Sequence, residues 1–153
     1  MKNGVRFFFA MVVLATVPVL TVCAITRTSE ADTKENDTKL EIQIGEKNFT
    51  AVLYDNESTA AFVQKLPLTL DMSELNGNEK YFFLTDRLPT NSQRIGSIKT
   101  GDLMLYGSNC LVFFYEIFST SYSYTKLGYV TDATGLARAL GSGSVKVSFS
   151  VAQ

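Results

Sequence analysis

Residues 102–117 read DLMLYGSNCLVFFYEI. Two short apolar runs, Asp102 to Tyr106 and Cys110 to Ile117, flank Gly107-Ser108-Asn109, residue types that favour a turn. Runs of this length and composition bounded by a turn predict two strands of a hairpin. A strand with one wet face alternates apolar and polar residues, and these do not. Leu103-Met104-Leu105 and Leu111 to Tyr115 are nearly continuous, so both faces of this hairpin are expected to be buried.

Working outward, the alternating pattern appears on either side. Leu40, Ile42 and Ile44 oppose Lys39, Glu41 and Gln43, and after the turn Gly45-Glu46-Lys47-Asn48 the residues Phe49, Ala51 and Leu53 alternate again. Asp55-Asn56-Glu57-Ser58 offers capping side chains for a short helix over Thr59 to Leu66, with Phe62, Val63 and Leu66 on one face and Pro67 ending it. Leu68 and Leu70 mark an extended piece, Asn76-Gly77-Asn78 a turn, and Lys80 to Leu84 an aromatic strand. Asp86 to Thr100 reads as a loop. Ser119 to Tyr124 is an unusual polar-aromatic string, STSYSY, and Lys126 to Val130 another strand. Thr131 or Asp132 can cap a second helix running to Leu140, stopped by Gly141. Ser144 to Val151 is the last strand. Seven or eight strands and two short helices in about 113 residues, 39–151, suit a mainly-β closed barrel, which leaves no exposed sheet edge. An open sandwich is the alternative.

The segment before this domain reads as an address. Lys2 and Arg6 precede an apolar run from Phe7 to Leu20, followed by Thr21-Val22-Cys23-Ala24, the three-part plan of a secretory signal. The run is short for a bilayer span and holds Pro18. Two processing fates of residues 1–24 lead, lipidation of Cys23 in a lipobox-like Leu20-Thr21-Val22-Cys23 or ordinary cleavage after Ala24, with an uncleaved anchor as the third alternative. Residues 25–38 include TRTSEADTKENDT, which lacks any large apolar side chain and is expected to be a disordered tether. The expected address is therefore exported: held at the cell envelope through a lipid or signal segment, or released.

Composition removes several chemistries. There is no His and no Trp, so the usual base near neutral pH and the commonest metal ligand are missing. No zinc set, phosphate loop or dinucleotide fingerprint is present, so no metal or other cofactor is expected. Without Lys2 and Arg6, 12 basic residues face 15 acidic ones, with no basic stripe for nucleic acid. Cys110 lacks a partner in the domain and reads as a small buried residue. Ser119, Ser121 and Ser123 have no base beside them for nucleophilic catalysis. Glu79, Asp86, Asp102 and Glu116 are too scattered in sequence to nominate as an acid–base pair, and read as capping or surface groups. What remains distinctive is an aromatic and hydroxyl set: Tyr81, Phe83, Tyr106, Phe114, Tyr122 and Tyr124, with Asn109 and Ser121 as hydrogen-bonding groups. Tyrosine offers apolar area with a polar handle, which suits a groove, though such rings also fill cores. The candidate ligand-binding residues are Tyr81, Phe83, Tyr106, Asn109, Ser121, Tyr122 and Tyr124.

Several ordered strings carry a resemblance. They are Leu53-Tyr54-Asp55-Asn56, Leu66-Pro67-Leu68-Thr69-Leu70, Leu75-Asn76-Gly77-Asn78-Glu79-Lys80-Tyr81, Gly101-Asp102-Leu103-Met104-Leu105-Tyr106-Gly107 and Phe118-Ser119-Thr120-Ser121-Tyr122-Ser123-Tyr124. Over residues 39–151 the chain resembles a family of small exported bacterial domains with a cyclophilin-like fold. The resemblance implies an eight-stranded barrel with two helices at its ends, and no established activity. Cyclophilins proper are peptidyl-prolyl isomerases that use an Arg beside an apolar proline pocket. The strand taken to match, Lys80 to Leu84, carries no Arg, and Arg87 lies nearby without anything to fix it in a groove. The expected function is a non-catalytic module for a peptide or small-molecule ligand, with a divergent prolyl isomerase as the alternative.

Overall fold

A computed structural model describes residues 35–153. The signal segment with Cys23 and the tether as far as residue 34 lie outside the described residues. The elements in chain order are β1 (Glu35–Ile44), β2 (Lys47–Tyr54), α1 (Glu57–Val63), β3 (Leu68–Leu75), β4 (Glu79–Phe83), β5 (Gln93–Ile98), β6 (Asp102–Tyr106), β7 (Cys110–Phe114), β8 (Phe118–Val130), α2 (Leu136–Leu140) and β9 (Val145–Val151). The first strand begins at Glu35, four residues before its alternating pattern does, with an irregular register between Glu35 and Lys39.

The strands pair in the order β2-β1-β9-β3-β4-β7-β6-β8-β5, and β2 pairs back onto β8. That return closes eight antiparallel strands into a barrel and leaves β5 outside it, paired with β8 alone. The closed form, not the open sandwich, is what the chain adopts. The closing seam is short: Ala51 faces Val130, Val52 faces Tyr129 and Leu53 faces Gly128. Gly128 is what lets these backbones meet. A Cβ there would lie 2.4 Å from the Val52 carbonyl oxygen and 2.9 Å from Leu53 Cδ2. A glycine inside a strand is the usual mark of such an approach.

The alternating residues of the sequence fill the barrel. Leu40, Ile42, Ile44, Ala51, Leu53, Leu103, Leu105, Leu111, Phe113, Val147 and Phe149 form one buried cluster. The helix α1 plugs one end. Asn56 caps it, its Oδ1 accepting from Thr59 N at 2.9 Å, while its Nδ2 donates to the Lys126 carbonyl at 3.0 Å. The Thr59 hydroxyl donates to the Leu127 carbonyl at 3.2 Å. These bonds fix the helix against β8 and press Phe62 edge-on to Phe149. The second helix starts later than Thr131 or Asp132. Asp132 Oδ1 instead accepts from Thr134 N in a local turn, and Gly135 at φ 81° precedes Leu136 without a side-chain cap.

The strand β7 is buried along its whole length, as its unbroken apolar run predicts. Leu111 and Phe113 point into the barrel, whereas Cys110, Val112 and Phe114 join a second apolar cluster with Met104, Ile98 and Tyr124. The cover over this outer face is a two-stranded ribbon, β5 with the first half of β8. Here the sequence reading needs correction. Residues 86–100 are not all loop, because 93–98 form β5. The string 118–124 and the strand 126–130 are one 13-residue strand. Only Ile95 and Ile98 in β5 are apolar, and most of that strand is exposed, so it owes its form to pairing rather than to a pattern of its own.

At one end of β4 a charged cluster replaces apolar filling. Lys80 is fully buried. Its ammonium binds Glu74 and donates to the Gly141 and Gly143 carbonyls at 2.8 and 2.7 Å, tying the α2–β9 connection to the barrel. The Tyr115 hydroxyl donates to Glu74, 2.8 and 2.9 Å from its two oxygens. Burial pushes the Glu74 carboxyl up, but hydrogen bonds from Lys80, Tyr115 and the Gly77 N–H, with the Lys80 charge, outweigh it and hold it below its ordinary range.

Two outcomes are expected in urea denaturation. Gly128→Ala, which forces a side chain into the seam, lowers stability by about 1–3 kcal/mol, while Gly143→Ala, where a Cβ meets nothing within 4 Å, does not. Lys80→Ala strands Glu74 and two carbonyls and costs roughly 3–5 kcal/mol at neutral pH. The Glu74 contribution is present above its ordinary value of 4.5 and lost as pH falls through its lowered folded value, so the Lys80→Ala deficit shrinks in acid.

Candidate functional site

Strand alternation gives β4 two unlike faces. Lys80 and Phe82 turn inward, and Glu79, Tyr81 and Phe83 turn outward. The outward side forms one wall of a groove of about 570 Å³. Tyr106 at the end of β6, Cys110 and Val112 of β7, and Phe118 to Tyr122 and Tyr124 of β8 complete it, with Leu75, Asn76 and Asn78 of the β3–β4 turn at one side. The volume falls in the usual range for small-ligand sites.

Most of the aromatic and hydroxyl candidates meet here. Tyr81 and Phe83 pack edge to face, with ring centroids 5.8 Å apart. Tyr106 touches Tyr122 and Tyr124 at centroid separations of 6.0 and 5.5 Å. Phe83 is 62 % exposed, Tyr106 47 % and Tyr122 61 %, so three rings of this wall remain open to solvent. The serine–tyrosine string is not a uniform strand, however. Arg94 pairs with Ser123 and Gly96 with Thr120, which puts both Ser121 and Tyr122 opposite Ile95, a bulge. The Thr120 hydroxyl accepts from Tyr122 N at 3.1 Å within it. The two tyrosines share Tyr106 as a neighbour but differ in exposure: Tyr122 is open to solvent, and Tyr124 is buried in the second apolar cluster. Phe114 is wholly buried and serves that cluster too.

Asn109 does not line the groove. Its Nδ2 donates to the Leu84 carbonyl at 3.1 Å and its own carbonyl accepts from Leu84 N at 2.8 Å, so it clamps the β6–β7 turn to the chain leaving β4. Arg87 is exposed and is not part of the groove wall. Asp102 Oδ2 accepts from Lys99 N in a turn, and Asp86 pairs with Lys65.

The residue that the sequence reading missed is Glu79. It lies at the groove floor, 9 % exposed, where a surface or capping role was expected. Burial, reinforced by the nearby Glu74 charge, pushes its carboxyl above the ordinary range. Its field reaches two neighbours. Burial first and Glu79 second push the Cys110 thiol up to about 11, which keeps it protonated and unreactive. The same two causes push Tyr124 up to about 12, although its hydrogen bond with the Thr120 side chain acts in the opposite direction. The signal for Glu79 was its period-two spacing with Tyr81 and Phe83.

A closed eight-stranded antiparallel barrel, plugged by a short helix and bearing a groove on its outer wall, has a cyclophilin-like fold. The chain belongs to the Cyclophilin-like family, whose model matches residues 42–150. No curated protein and no solved structure matches it.

The buried carboxyl has a measurable cost. The folded state holds the Glu79 proton more tightly than the unfolded chain, so the stability from this group is full below 4.5 and is lost as pH rises through the raised folded value. Glu79→Gln is therefore expected to be more stable than the parent at pH 7 and to lose that advantage as pH falls below 4.5, measured by urea denaturation across pH.

Proposed function

We propose that this chain is an exported, non-catalytic binding module that takes an extended peptide or a small molecule in the β4–β7–β8 groove. The observation that carries this reading is the set of exposed rings, Phe83, Tyr106 and Tyr122, arranged around one concavity on a barrel whose other large side chains are mostly buried. Contiguous apolar surface of this kind marks a site of interaction more often than bare solvent-facing wall. Tyrosines add hydroxyls that a polar ligand can use, and the Ser119, Thr120 and Ser121 side chains extend that capacity along the rim.

Export is part of the proposal and rests on the Lys2/Arg6, apolar and Cys23-Ala24 sequence plan, with a lipid on Cys23 or cleavage after Ala24. Mass spectrometry of the mature amino terminus separates the two. An unprocessed amino terminus on protein recovered from the cytoplasmic fraction overturns this part of the reading.

Prolyl isomerisation is not favoured by the groove, because none of its wall residues is an arginine. A protease-coupled proline-peptide assay at micromolar protein is expected to show no acceleration. For the groove itself, titration of the protein with a mixture of capped pentapeptides, followed by amide NMR, is expected to move resonances of β4, β7 and the 118–124 segment. Tyr122→Ala together with Phe83→Ala is expected to weaken that binding by about ten-fold or more. Shifts confined to other faces of the barrel sink the assignment.

A further inference from the structure

Two carboxylates stand close together at the start of β4, and one cation serves them. Lys80 is committed to Glu74 and to the Gly141 and Gly143 carbonyls on the inner side of the strand. Glu74 is further satisfied by Tyr115 and by the Gly77 N–H. Glu79, on the outer side, receives none of this. Among the described residues its carboxyl has no hydrogen-bond or ion-pair partner, although it is nine-tenths buried. A buried carboxylate is ordinarily paired. The wall around it supplies no compensation: it contains neither lysine nor arginine. Tyrosine rings stand there instead, at Tyr81, Tyr106 and Tyr124, and the faces of such rings attract cations. Beside it, Asn78 Oδ1 is closed off from solvent without a hydrogen-bond partner, which adds no positive charge to the floor. The groove floor thus offers a carboxylate and π faces together, which is the complement of an ammonium group on an aliphatic stem.

We propose that the groove receives the side chain of a lysine in an extended peptide, its methylene stem against the tyrosine wall and its ammonium against the Glu79 carboxylate. This rests on the binding-module reading and specifies its ligand. The peptide, rather than a free amine, is the occupant because the groove continues past the floor to the exposed rings of Phe83 and Tyr122 and the hydroxyl rim, more wall than one butylammonium can cover. A neutral Glu79 donating to a ligand carbonyl is the competing chemistry, and in it the charge of the ligand has no effect.

The test is calorimetric titration of the full chain in non-ionic detergent at pH 7.5. The probes are a capped Ala-Ala-Lys-Ala-Ala peptide, the same peptide with norleucine or acetyl-lysine in place of lysine, and n-butylamine. The lysine peptide is expected to bind about ten-fold more tightly than the norleucine peptide, the scale of one desolvated charge contact. Glu79→Gln, checked for folding by circular dichroism, is expected to abolish that preference, so that the lysine and norleucine affinities come within two-fold of each other, or about 0.4 kcal/mol. Equal binding of lysine and norleucine peptides overturns the cation assignment and leaves the binding module standing. Butylamine binding as tightly as the lysine peptide overturns the peptide assignment. No heat from any peptide overturns both this inference and the groove reading beneath it.

Discussion

The close approach of β2 and β8 at Gly128 holds the architecture together. Antiparallel strands can run on in an open sheet indefinitely, and this sheet becomes a barrel only because β2 reaches β8 over three residue pairs. There is no room in that seam for a methyl group. The core depends on it, since Ala51 and Leu53 of β2 and the plug helix all meet β8 where it closes. The same strand then leaves the barrel in the other direction. Its first half pairs with β5 and lies over Cys110, Val112 and Phe114, so one strand closes one core and covers a second. The groove exists where that cover ends.

Charge is distributed with similar economy along β4. Adjacent residues carry opposite signs and face opposite environments, Lys80 toward the barrel and Glu79 toward the groove. The inward charge is saturated by partners and ties a connection to the barrel. The outward charge has no such partners among the described residues, and together with burial, the larger cause, it raises the proton affinity of the thiol and phenol beside it. A structural ion pair and an unpaired carboxyl thus sit one residue apart, separated by a strand's thickness. The difference between them is the number of donors within reach.

Much of this was legible from periodicity. Leu40-Ile42-Ile44, Phe49-Ala51-Leu53 and Val147-Phe149 announced their strands because each alternate residue meets the same core. The unbroken Leu111 to Tyr115 run announced burial on both faces of its strand, which two separate clusters supply. Residues whose structure is set by partners far along the chain were harder to read. The β5 strand has only two apolar residues, and its strand form comes from pairing with 118–124. Asn109 looked like a ligand-binding amide and is instead a clamp on Leu84. Glu79 looked like a solvated carboxylate, since spacing alone places it on the face of Tyr81 and Phe83 without saying that β7 and β8 bury that face. For the groove, the sequence supplied the rings, and tertiary packing decided which of them stayed open.

The bulge opposite Ile95 adds a further consequence. Identity alone does not define the aromatic wall; arithmetic does too. Between Thr120 and Ser123 the strand carries two residues where its partner carries one. A relative that kept every serine and tyrosine of this string but gained one residue in β5 beside Ile95 would pair in step, without the bulge. Comparison of such relatives by composition would rate them alike, while their grooves would differ. For this fold, an insertion or deletion of a single residue in the covering ribbon changes the groove-facing surface as a substitution would.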